Sequence, residues 1–136
     1  MNPPNGKLME YHIVAGEEMK KRMEGVLPNP IPFNEDLSVG SYSHEPFSDL
    51  FFQERCQAHH VDLEYYLSNL SEFLLFLGKM KKSDTIHLYF GDDPTCEANR
   101  KLLISYLSPR VSRLYLHHMD EYRGTELSVE RILRSN

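Results

Sequence analysis

Chemistry in this 136-residue chain has to come from a few polar residues placed where apolar runs end. The plainest group is Gly91-Asp92-Asp93-Pro94, which follows the β-branched and aromatic run Thr85–Phe90 and leads into a helical pattern. Glycine permits close backbone approach there. Asp93 suits an N-cap and Pro94 a first helical turn; one cap suffices, so Asp92 is left for solvent or a ligand. Residues 34–43 carry turn chemistry at both ends and place Asp36, Ser38 and Gly40 in one loop, while Gly16 closes an earlier apolar run. Gly16, Asp36, Ser38, Gly40, Asp92 and Asp93 are therefore the expected binding set for a small-molecule ligand.

A divalent metal is the second chemistry. Asp92, Asp93, His117, His118 and Asp120 combine hard carboxylate oxygens with imidazole nitrogen, a set that could hold an ion and acidify its bound water for hydrolysis or phosphoryl transfer. Adjacent His117 and His118 point to opposite faces if they continue a strand. No His-Glu-x-x-His pattern, phosphate loop or dinucleotide fingerprint is present. Cys96, in a first helical turn, is a small core residue before it is a nucleophile, and His59-His60 at a helix end satisfies free carbonyls. A third reading is a protein-interaction or homo-oligomerisation module that uses Phe51, Phe52, Tyr65 and Phe76.

Composition bounds these choices. Hydrophobic residues make up 40% and charged residues 26%, which is a globular balance with enough apolar mass for one core. With 15 Lys and Arg against 20 Asp and Glu, the net charge of -5 leaves no cationic sheath to displace counterions from a nucleic acid, so nucleic-acid binding is disfavoured. Two cysteines are too few for a disulfide framework. No apolar run reaches bilayer length and no signal segment opens the chain, so no membrane partner and a cytoplasmic location are expected. Residues 1–7 read as a flexible leader, and residues 8–136 as a single domain.

The elements that must position these residues follow from periodicity. Strands are predicted over 8–15, over a short stretch near 31–33 limited by prolines, over 85–90 and over 113–117. Helices are predicted over 17–24, 46–60, 62–81 (with Asp62 as N-cap), from 94 to about 108, and over 128–134. This order gives parallel strands joined by right-handed crossovers: an α/β three-layer sandwich with a mostly parallel central sheet of about four strands. In such folds ligands sit at the carboxyl ends of the strands, which is where the loops named above fall.

Tyr11-His-Ile-Val-Ala-Gly16, Asn34-Glu-Asp-Leu-Ser-Val-Gly40 and Leu88-Tyr-Phe-Gly-Asp-Asp-Pro94 together, in this order and spacing, resemble the N-terminal domain of the bacterial domain-of-unknown-function family number 1835. The resemblance spans residues 8–117. It implies an α/β fold and a bacterial intracellular origin, supplies no activity, and draws attention to Gly16, Asp36, Leu37, Gly40 and Gly91. The chain departs from the family pattern at Glu17 and Glu18, where a small polar residue is usual, and at Ser41, where proline is common. Two carboxylates beside Gly16 repel a phosphate, which argues against an anion site there.

Overall fold

The computed structural model describes residues 8–120 and 122–132, so the leader expected over 1–7 lies outside it. The chain runs β1 (Glu10–Val14), α1 (Glu17–Met23), β2 (Ile31–Pro32), α2 (Asp49–His59), α3 (Leu63–Asn69), α4 (Ser71–Lys79), β3 (Thr85–Phe90), α5 (Pro94–Leu107), β4 (Arg113–Asp120) and β5 (Thr125–Ile132). One sheet of order β2-β1-β3-β4-β5 results, parallel except for β5. The mostly parallel α/β sheet is present, with five strands where about four were expected.

The fifth strand replaces the helix expected over 128–134. Thr125–Ile132 folds back antiparallel on β4 through a turn in which Gly124 has φ +68° and donates its N–H to the Asp120 carbonyl at 2.7 Å. β5 is almost wholly exposed, and Leu127 and Val129 alternate with Glu126, Ser128 and Glu130. With only Ile132 packed against the core, this strand shows little hydrophobic bias, and its period of two is easily overlooked.

Side-chain alternation divides the sheet into two faces. Ile13 of β1, Ile86, Leu88 and Phe90 of β3, and Leu114 and Leu116 of β4 join Phe51, Phe73, Leu103 and Leu107 from the helices in the main core. Phe33, Phe51, Phe73 and Phe90 are fully buried there, and each contributes about 1.5–3 kcal/mol relative to exposure. The second cluster holds Val14, Tyr89 and Met119 against Met19 and Met23 of α1. Handedness explains the division. The β1-to-β2 connection runs along the sheet in the opposite direction to β2-to-β3 and β3-to-β4, and right-handed crossovers then send α1 to the other face. The direction reverses between β1 and β3, the topological position at which open α/β sheets form a crevice.

Two helices differ from the pattern read in sequence. Phe47 has φ +68°, a conformation no helix admits, so Pro46 stays outside α2, which begins after Ser48 accepts the Phe51 N–H on its Oγ at 3.3 Å. The long helix expected over 62–81 is capped by Asp62, whose Oδ1 accepts the Tyr65 N–H at 2.8 Å, but Leu70 at φ -95° and ψ 4° divides it into α3 and α4. Apolar spacing runs through the break unaltered because Leu70 itself is buried.

Candidate ligand-binding site at the strand ends

The loop that leaves β2 carries Glu35, whose side chain is fully buried beside an equally buried Arg55. Glu35 Oε2 accepts from Arg55 Nε at 3.0 Å and from the Tyr66 hydroxyl; Oε1 accepts from Arg55 Nη2 at 3.1 Å and from the Asp36 N–H at 2.7 Å. His59 Nε2 lies 2.5 Å from the same Oε1. Arg55 also donates to the carbonyls of Asp36 at 2.9 Å and Ser41 at 3.1 Å. α2 makes the assembly possible, since Phe51, Arg55 and His59 lie one turn apart on one face.

Burial pushes the Glu35 carboxyl toward its neutral form, but hydrogen bonds from Arg55, Tyr66 and His59 outweigh it and hold the group below the ordinary glutamate range. Burial opposes the Arg55 charge too, yet Glu35 raises its proton affinity. Burial, then the Glu35 charge, raises Tyr66, which stays a phenol and a donor. The loop around the cluster is pinned at several points. Asn99 donates to the Glu35 carbonyl at 2.7 Å and accepts the Leu37 N–H at 3.0 Å. Glu54 accepts from Ser43 and His44, and the Ser43 hydroxyl is the chief reason its carboxyl is pulled down to about 2.

Beside this cluster is a cavity of about 420 Å³ lined by Ala15, Gly16, Phe33, Asn34, Glu35, Asp36, His59, Val61, Tyr65, Tyr66 and Asn69. It opens at the carboxyl ends of β1 and β2. The break at Leu70 serves it, because Asn69, the last residue of α3, offers its carbonyl to Asn34 Nδ2 at 3.1 Å. A neighbouring cavity of about 430 Å³ shares Ala15 and Gly16 and continues over Glu17 and Glu18 to Asp93, Thr95 and Cys96 at the start of α5. A larger space of about 520 Å³ lies away from the strand ends, and its Lys20 and Glu72 pair with each other at 3.0 Å.

Of the expected ligand set, Gly16 and Asp36 line the first cavity and Gly16 and Asp93 the second. Ser38 turns away to hydrogen-bond Asp36 Oδ1 through its N–H and hydroxyl. Gly40, at φ +65°, packs on α2, where an added Cβ would come 2.6 Å from the Ala58 Cβ. Asp92 is mostly exposed, 3.7 Å from Arg100, and Asp93 caps α5 by accepting the Cys96 N–H at 2.7 Å. The structure thus divides this set between two adjoining cavities and the surfaces around them.

The expected metal set is not brought together. His117 faces β5 and meets Glu126, His118 meets Glu130 at 2.9 Å, and Asp120 accepts the Tyr122 N–H at 2.9 Å, while Asp92 and Asp93 lie beyond the end of β3. Among the described residues no group of three or more His, Cys, Asp or Glu could hold a metal ion. His87 and His117 come closest, but their Nδ1 and Nε2 point at each other 2.9 Å apart and each outer nitrogen is taken by Glu10 or Glu126. Burial, the largest influence on His117, keeps it below the ordinary histidine value despite Glu126. Of the aromatics named for an interaction surface, Phe51 and Phe76 are core, and Tyr65, 58% exposed, stands at the cavity mouth.

The sequence does not single out Arg55, Tyr66 or Glu35 as site residues, and His59, expected to satisfy helix-end carbonyls, instead turns its Nε2 to Glu35 and Arg55. The available signal was Arg55 on the apolar stripe of α2, one turn from Phe51 and one turn from a histidine. No protein-family model, curated protein or solved structure matches the chain, and among the described residues no helix is long and apolar enough to cross a membrane.

Proposed function

We propose that this chain is a small-molecule-binding domain whose ligand seat is the cavity between the ends of β1 and β2 and the α2–α3 connection. The observation that carries this reading is the buried Glu35–Arg55–Tyr66 cluster, which holds His59 at the cavity wall. A buried ion pair is a poor source of stability, because desolvation offsets its Coulomb energy. Perturbed ionisable groups assembled beside a concave, partly apolar surface are the ordinary mark of a functional site. The cavity also lies within the size range of small-molecule sites. With this reading go a three-layer sandwich whose second helical layer is α1 alone, a cytoplasmic setting, and the relationship to family 1835 drawn from the motifs.

Thermal-shift screening of a metabolite-like library tests it. A ligand at about 100 times its Kd adds about 2.7 kcal/mol of stability, and Asn69→Leu or Tyr65→Ala, which alter the cavity wall at exposed positions, should abolish that gain without unfolding the protein. A library without a single stabilising compound, or ligands indifferent to both substitutions, would sink the proposal.

A further inference from the structure

Two side-chain oxygens in and beside the cavity wall are left open as acceptors, and their charge bears on the ligand. Asn34 Nδ2 spends its hydrogens on Glu17 Oε1 and the Asn69 carbonyl, both at 3.1 Å, which leaves Oδ1. That oxygen lies 3.8 Å from the position of a Cβ added to Gly16, another residue of the wall. Asp36 Oδ1 is used by Ser38, and among the described residues Oδ2 has no donor. His59 Nε2 sits between Arg55 Nη2 at 3.2 Å and Glu35 Oε1 at 2.5 Å. The shorter contact, to a carboxylate, requires the hydrogen on Nε2.

Charge points the same way. Among the described residues no lysine or arginine lines the cavity. Arg55 lies behind it, paired with Glu35 and donating to the carbonyls of Ser41 and Asp36. Asp36, in the wall, and Glu17, bonded to Asn34, leave the local balance negative. An anion placed here would be desolvated against carboxylates with no fixed cation to meet it, at large cost. A cationic N–H donor would meet the Asn34 and Asp36 oxygens, with Val61 and the tyrosine rings beside its apolar body.

We propose that the cavity recognises an organic cation rich in N–H donors, a primary amine or amidine on a small flat or apolar body, and discriminates against carboxylates and phosphates. This rests on the reading of the cavity as a ligand seat. The test is amide-resolved NMR titration of the whole chain with four probes of similar shape: benzylamine, benzamidine, benzyl alcohol and benzoate. The expected result is saturable shifts at Asn34, Tyr65 and Asn69 with at least one of the two cations, about tenfold tighter than with the alcohol or benzoate. Asp36→Asn, which keeps the acceptor for Ser38, should erase most of that preference. Equal binding of all four, tighter benzoate binding, or a preference that survives Asp36→Asn would overturn the cation assignment and leave the ligand seat standing. If none of the four shifts these residues, the ligand seat falls and the assignment with it.

Discussion

Tyr66 and Arg55 both donate to Glu35, but their loss has different consequences. Tyr66→Phe removes one donor and leaves the carboxylate its other partners, so it should cost about 1–3 kcal/mol. Arg55→Met strands a buried charge and should cost about 3–5 kcal/mol. Urea denaturation of both variants decides the order, and an equal or smaller loss for Arg55→Met would mean that the carboxylate is solvated. Because folding lowers the Glu35 proton affinity, its stabilising contribution is complete above the ordinary glutamate value, about 4.3, and is lost as pH falls through the lower folded value. The acid limb of wild-type stability should therefore be steeper than that of Glu35→Gln. A charged stripe such as Phe51-Arg55-His59 is legible as an anomaly in sequence, but its partner is not: nothing in residues 34–43 distinguishes Glu35 from Asp36, and only the path of the β2 loop turns one inward and leaves the other at the wall.

Gly40 shows what an element can demand of one position. Its left-handed backbone costs a side-chain-bearing residue about 1–2 kcal/mol, and the contact at Ala58 adds an overpacking cost of about 1–3 kcal/mol. Gly40→Ala should accordingly lower stability by about 2–5 kcal/mol, whereas the same change at exposed Gly78, a helical position with nothing near the added methyl, should raise it by about 0.5–1 kcal/mol. Paired thermal melts check both signs. Capping and strand chemistry at β1, β3 and α5 were readable because each turns on local rules: a β-branched run, an Asp-Pro start, a proline stop. β5 and the break at Leu70 were not, since the first depends on a hairpin partner and the second on a backbone rotation that leaves the apolar spacing intact.

For the molecule as a whole, acid should act in two stages. Burial, the main cause, holds His12 and His117 below the ordinary histidine value, so their contribution is complete above about pH 6.5 and declines as pH falls through their lower folded values. Glu35 follows at more acidic pH. A denaturation midpoint that stays flat between about pH 7 and about pH 5 would refute the first stage. Hydrogen exchange should rank the strands: β3, buried between β1 and β4, slowest, and exposed β5 fastest, with equal protection of the two counting against the exposure of the hairpin. The register of the sheet also sets a timetable for synthesis. Met9 and Asp84, bonded across the start of β1 and β3, are 75 residues apart, and β2 offers β1 only two paired positions in the meantime. At about 5–20 residues per second, Ile13 and Val14 emerge about 4–15 s before the strand that pairs with them along the sheet. A ribosome carrying half of this chain therefore holds a first strand whose β3 edge is still unpaired, an open edge of the kind on which other chains can add.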